Sequence, residues 1–334
     1  MDIRKLAGRM AFWRLLVQWL FLGWILYIGV QFGLFVHHFE SGGAAPYYHR
    51  PPGVEGFLPI GALVSLKYWL TSGTIHPVHP AALVLFLTFL AMSLLTRKSF
   101  CSWLCPVGTL SEGFWKLGAR FWGRNFQAWR WLDTLLRGAK YLLLLFFLKL
   151  ILLDMPVLTL GAFLGSPYWA VSDIKMLHFF TNMSLTTMLV VLLLVLLSLV
   201  YKNPWCRYLC PYGALLGLLG SLSPFKIRRR EDRCSSCQKC GRACPAHLPV
   251  QHKKVIRSPE CTGCLTCIDN CSDAALSMSL PFPALQQPGW VFPILVMGIY
   301  TCGVLIGMLS GNWETSLSYQ DYQRLMMILP QLSH

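Results

Sequence analysis

An all-α polytopic membrane protein is the fold this chain predicts: about five transmembrane helices, two pseudo-symmetric helical hairpins and one small α+β insert stapled by metal. Three observations predict it. Of 334 residues, 55% are hydrophobic and 13% charged, far from the soluble average of about 25% charged. Apolar runs long enough to cross a bilayer recur along the chain, and one polar stretch repeats a dense cysteine phrase. The net charge of +15 raises nucleic acid as a partner, but the basic residues are not gathered on one soluble domain, so no nucleic acid is expected.

Residues 12–36 form the first apolar run, long enough to cross about 30 Å of hydrocarbon as a helix. A secretory signal would have a shorter apolar core, so this segment reads as a retained anchor. Further spans are predicted at 78–95, at 139–153 with a continuation past Pro156 toward Leu164 left open, at 185–200 and at 290–309. The runs 57–70 and 211–222 are short or interrupted and read as interfacial or half-inserted helices. With a cytoplasmic N-terminus, 24 of the 29 Lys and Arg residues fall on the inner side, beginning with Arg4, Lys5 and Arg9. The positive-inside rule then places the cysteine-rich stretch in the cytoplasm and the tail from Gly311 outside.

That stretch reads Cys234-Ser-Ser-Cys237-Gln-Lys-Cys240-Gly-Arg-Ala-Cys244-Pro245, then Cys261-Thr-Gly-Cys264-Leu-Thr-Cys267-Ile-Asp-Asn-Cys271. Two-residue gaps let three thiolates wrap one iron–sulfur cube, and the longer gap turns the fourth toward a neighbouring cube. Two [4Fe–4S] clusters are expected, the first on Cys234, Cys237, Cys240 and Cys271, the second on Cys261, Cys264, Cys267 and Cys244. Zinc sites space their cysteine pairs more widely, and a cytoplasmic location disfavours disulfides. Ser272 stands where the ferredoxin pattern has proline, which adds a hydroxyl beside a ligand and bears on potential. The module, 226–280, is too small to hold together by apolar burial alone, so the clusters should staple it. Arg228, Arg229 and Arg230 before it read as an anchor to anionic headgroups, or as a docking site for an acidic electron donor.

A second repeat has an offset of 105 residues: Phe100-Cys101-Ser-Trp-Leu-Cys105-Pro106-Val-Gly108 and Trp205-Cys206-Arg-Tyr-Leu-Cys210-Pro211-Tyr-Gly213. Each copy closes an out-and-back hairpin, which suggests two halves about a pseudo-two-fold axis along the membrane normal. Cysteines four apart share a helix face, so Cys101, Cys105, Cys206 and Cys210 could hold a further Fe–S or iron centre. Redox-active thiols, metal-ion reduction, or plain packing beside a helix-breaking proline are the other readings. Cys302, alone in the last span, reads as packing.

On these two cysteine repeats, on Ser223-Pro-Phe-Lys-Ile-Arg-Arg229 and on Arg50-Pro-Pro-Gly-Val-Glu55-Gly-Phe-Leu-Pro59, the chain resembles the NapH/NosR/YccM group of polytopic membrane polyferredoxins, YccM-type members above all. The resemblance implies a multi-pass protein of the bacterial inner membrane that carries electrons in a respiratory chain. Its ends would be a cytoplasmic donor or quinol and a periplasmic redox protein such as a c-type cytochrome or Fe–S protein. Membership in a quinol dehydrogenase is left open. The alternative is a metal-ion or thiol reductase acting through the Cys-x-x-x-Cys-Pro cysteines.

Clusters on the inner side cannot by themselves span the hydrocarbon, so another cofactor must bridge it. A quinone needs an apolar slot with polar groups at its carbonyls, and Lys67, His79, Lys149, Asp154 and Asp173 are the candidates. Lys149 and Asp154 could equally be a structural pair. Seven of nine histidines, His334 among them, fall toward the outer side; a haem between His37 or His38 and His79 is less favoured than ordinary interfacial histidines. The division expected is a membrane domain 1–225, the cluster module 226–280, and a last helix with an outer tail, 281–334. The tail, 313–332, reads as a docking helix or a frayed end.

Overall fold

A computed structural model describes residues 10–280 and 291–332. Arg4, Lys5, Arg9, Trp290, His334 and the junction 281–290 lie outside the described residues. The described chain is all-α apart from one two-stranded antiparallel sheet, β1 (Lys226–Arg229) on β2 (Leu276–Ser279), with Lys226 opposite Ser279 and Arg229 opposite Leu276. The chain folds as two compact units. Unit one takes Met1–Gly23, Phe89–Leu144 and Leu192–Tyr300; unit two takes Trp24–Thr88, Leu145–Val191 and Thr301–His334.

Helix α1 (Met10–Glu40) runs for 31 residues, about 46 Å at the usual rise. Only 33% of its most apolar window is buried within the protein, and 22% of that of the last long helix, Val291–Leu309. The outward faces carry Leu20, Trp24, Leu26, Ile294 and Leu309, an apolar surface that lipid satisfies and water does not. These two helices are long and apolar enough to cross a membrane, and up to four spans result if each of two bent pairs counts as one. The protein is membrane-associated on this ground. Helix α2 (Pro59–Ser72) buries the stretch from Gly61 to Ser65. Helix α3 (Pro80–Thr96) is apolar but has 17 residues.

Helix α3 is followed by α4 (Ser99–Trp103) and α5 (Pro106–Trp122). Next comes α6 (Arg130–Leu148), continued in a π-helical turn, Lys149–Asp154. The run from 139 does not continue straight past Pro156: Val157–Leu164, helix α7, leaves at 109°. Proline removes a backbone donor and clashes with the preceding turn, and it drives Met155 to an extended conformation. Helix α8 (Pro167–Ala170) leads to α9 (Ser172–Thr181), which meets α10 (Leu185–Val200) at 76°. The apolar run at 211–222 is helix α11 (Pro211–Leu222).

The cysteine module carries α12 (Lys239–Ala243) and α13 (Thr266–Asp269); α14 is Val291–Leu309 and α15 is Tyr319–Ile328. The C-terminal tail is a packed helix, not a frayed end. Ser318 and Asp321 form a reciprocal capping box, and Tyr322 packs edge-on against Phe35 at 5.1 Å in the core of unit two.

Candidate metal centres

The two ferredoxin-type runs repeat in backbone as well as sequence. At an offset of 27 residues, Ser236 and Gly263, Gln238 and Leu265, and His247 and Ala274 all have positive φ, between 49° and 63°. Five of these six are not glycine, and each such residue costs on the order of 1–3 kcal/mol unless its surroundings demand the conformation. A left-handed residue beside a right-handed one turns successive N–H groups into a concavity that suits an anion, as around iron–sulfur clusters. Helices α12 and α13 follow at the same offset.

The cysteines face one another in a crossed pattern. Burial pushes the Cys244 thiol up to about 12, with Cys264 and Cys261 adding to it. Burial likewise holds Cys267 well above its ordinary value, then Cys264, Cys261 and Cys244. Cys240 instead has Cys271 and Cys234 beside it. Cys244, Cys261, Cys264 and Cys267 line one cavity with Ile227, Leu248, Val250 and Ile256. Among the described residues no three His, Cys, Asp or Glu side chains converge as a single metal ion would require. The chemistry of the donor set, its inward N–H groups and its apolar wall fit a cluster. Ala275 N–H donates to the Cys271 sulfur at 3.3 Å, and Ser272 bonds Asp273.

The Cys-x-x-x-Cys-Pro copies, both in unit one, also share a local geometry. Cys105 N–H reaches Phe100 O and Cys210 N–H reaches Trp205 O, each five residues back, at 2.9 and 3.0 Å. Each of these cysteines caps a helix whose first residue is proline. The Cys210 sulfur accepts from Gly213 N–H at 3.2 Å, and the Cys105 sulfur from Gly108 and Val107. Helix N-termini stabilise thiolates in this way. Burial nevertheless pushes Cys101 up to about 12, opposed by Lys98, and Cys105 up to about 11, opposed by Gly108 N–H. Cys206 is raised by burial and then by Cys105, Cys210 and Cys101. A metal bound by such thiols would deprotonate them.

Sequence reasoning missed the buried charges around these cysteines. Arg97 donates to Ile256 O and Ser258 O at 2.9 Å each, Trp103 to Gly263 O at 3.1 Å and Ser102 to Thr262 O at 2.7 Å. Lys140 pairs with Glu260 at 2.7 Å. The loop leading into Cys261 and Cys264 is thus held by the hairpin that carries Cys101. Arg14 pairs with Glu112 at 2.6 Å, and the Asp269 carboxylate accepts from the Met10 and Ala11 N–H groups at the start of α1. Partners so far apart in the chain leave no local signal.

In unit two, His79 and Asp173 come together through two residues not proposed as site members. Arg50 donates to Asp173 at 2.7 Å and pairs with Glu55 at 2.9 Å, and His79 Nδ1 lies 3.1 Å from Glu55. Burial alone would lower the Arg50 guanidinium, and Asp173 and Glu55 raise it above its ordinary value. The signal was there: Arg50 is a cation against the charge asymmetry, five residues from an acid. Lys67 instead donates to Ile151 O at 3.0 Å and to Met155 O, carbonyls freed at the bend. Lys149 and Asp154 form an exposed pair at 3.5 Å. His38 bonds Ala45 O and Tyr319 OH, and His79 Nε2 donates to Trp169 O. Cys302 is exposed on α14 and is not a packing residue.

Comparison with known proteins finds iron–sulfur families over these stretches. A family described as "4Fe-4S binding domain" matches twice, at 78–125 and 183–230, and a "4Fe-4S dicluster domain" matches 226–272. YccM of Escherichia coli (strain K12) is 44% identical over 96% of this chain and 92% of its own. The ferredoxin-type protein NapH of Haemophilus influenzae is 26% identical over 83% of this chain and 91% of its own. The regulatory protein NosR of Pseudomonas aeruginosa is 32% identical over 54% of this chain and 25% of its own. No solved structure matches. The chain belongs to the YccM, NapH and NosR family of polyferredoxins and is a membrane-associated iron–sulfur electron-transfer protein with two [4Fe–4S] clusters.

Proposed function

We propose that this protein crosses the bacterial inner membrane five times and carries electrons between a cytoplasmic or quinol donor and a membrane or periplasmic acceptor in a respiratory chain. The observation that carries the reading is the 27-residue repeat of left-handed backbone around both cysteine runs. Cys234, Cys237, Cys240 and Cys271 hold the first cluster; Cys244, Cys261, Cys264 and Cys267 hold the second. Bound there, the clusters supply one-electron carriage. Cys237 is exposed while Cys261, Cys264 and Cys267 are buried, so the chain leaves the first set open to a partner and shuts water from the second.

The five crossings are α1, α3, α6, α10 and α14. The 17 residues of α3 reach about 25 Å, at the short end of what a bilayer accepts. Domains follow as 1–225, the cytoplasmic module 226–280, and 281–334 with its tail outside. A third centre on Cys101, Cys105, Cys206 and Cys210 is part of the reading. For a quinone head group, the exposed Lys149–Asp154 pair is the most open of the five candidates, since Lys67, His79 and Asp173 already bond protein groups.

Three measurements test this. Anaerobically purified protein should contain about eight iron and eight sulfide per chain for two clusters and more for a third centre; iron-free protein overturns it. Protease added to sealed vesicles of known orientation should cut 226–280 only from the cytoplasmic side, and cutting from the exterior overturns the topology. A quinol should change the cluster spectrum, and Lys149→Ala should slow that change.

A further inference from the structure

Lys98 is buried, with 3% of its surface exposed, and its stem lies along a glycine face of α11. A Cβ built on Gly220 would stand 2.8 Å from the Lys98 backbone nitrogen, and one on Gly217 would stand 3.7 Å from Lys98 Cδ. At Gly213 it would meet Lys98 Nζ at 3.4 Å and the Cys210 sulfur at 3.5 Å. Ammonium and sulfur therefore flank one point. Lys98, Cys101 and Cys206 line the same cavity.

Among the described residues, no carboxylate lies within ion-pair distance of Lys98. Glu260, in that cavity wall, attracts Lys98 through space, but its oxygens are hydrogen-bonded by Lys140 at 2.7 Å and Tyr141 at 2.9 Å. A buried ammonium without a directly paired anion is costly. Four neutral thiols, or the disulfides they would form, offer no charge to offset it. Four thiolates on an iron–sulfur core do, because they outnumber the positive charges of an oxidised cubane core.

We propose that Lys98 is the built-in countercharge of a metal–thiolate centre of net negative charge held by Cys101, Cys105, Cys206 and Cys210, so that these cysteines form a third metal site and not a thiol–disulfide couple. The inference rests on the third centre proposed above and deepens it. The chain sets two consecutive cations to two sites: Arg97, at φ 62°, lies beside Cys261, and Lys98 beside the membrane-edge cysteines. A positive charge there favours the reduced, more negative state of the centre.

The test uses the full chain purified without oxygen, as wild type, Lys98→Gln and Lys98→Arg, with metal analysis and redox titration followed by electron paramagnetic resonance. Wild type should hold metal beyond the two ferredoxin-type clusters. In Lys98→Gln the reduced-to-oxidised ratio of the additional signal should fall at least tenfold at fixed potential, about 59 mV for one electron, or the additional metal should be lost while both clusters stay. Lys98→Arg should remain near wild type. Additional metal whose potential does not move in Lys98→Gln overturns the role of Lys98 and leaves the third centre standing; no additional metal in wild type overturns both. Should Lys98→Gln lose every signal, alkylation of native wild type decides. Four membrane-edge thiols protected until chelation support the proposal, and thiols that alkylate in the native protein without chelation overturn it.

Discussion

Burial works against the charge on Glu112, yet Arg14 and Lys116 hold its carboxyl below the usual carboxylate range. A depressed folded-state value means that the stability it lends is fully present above the unfolded value near 4.5 and is lost as pH falls through the folded one. Glu112→Gln leaves the Arg14 guanidinium, 3% exposed, without its partner, a loss of about 3–5 kcal/mol. The gap in thermal midpoint between wild type and variant should hold from pH 7 to about 5 and close below it; a gap that persists into strong acid would mean that the carboxylate is not its source. At this scale the cysteines were legible, because metal ligation demands a residue type at fixed spacing. The left-handed Gln238 and Leu265 were not, since nothing in those side chains favours that conformation; the fold imposes it. Nor were Lys140 and Glu260, which meet across 120 positions.

Among helices, α5 offers a matched pair of tests. A Cβ on Gly118 would stand 1.8 Å from Leu199 O of α10, while one on Gly113 meets nothing within 4 Å. Gly118→Ala should therefore cost about 1–3 kcal/mol through forced separation of the two backbones, and Gly113→Ala should gain about 0.4–1 kcal/mol. Thermal midpoints in detergent, which should move in opposite directions, check both. Asp269 belongs here as well, since its carboxylate caps the first N–H groups of α1. Asp269→Ala should cost about 1 kcal/mol and speed hydrogen exchange at Met10 and Ala11. The apolar runs were readable as helices from composition. Where they break was readable at Pro156 and much less so at Asn182-Met183-Ser184, which has no proline to announce the 76° bend.

For the molecule as a whole, composition alone indicated the bilayer and the cysteine phrases indicated the clusters. The two compact units were illegible, because each is assembled from three separate stretches of chain. Stripping iron from the protein should unfold 226–280 and leave most helical circular dichroism intact; proteolysis confined to that stretch is the check, and cuts spread through the helices would contradict it. The clamp on the loop before Cys261 limits how portable this module is. Excised as a soluble ferredoxin, it would surrender the carbonyls of Ile256, Ser258, Thr262 and Gly263 and the Glu260 carboxylate to water. Its potentials and lifetime would then describe a loosened relative of the native centre, and grafting it onto another membrane anchor would require bringing Arg97, Ser102, Trp103 and Lys140 along.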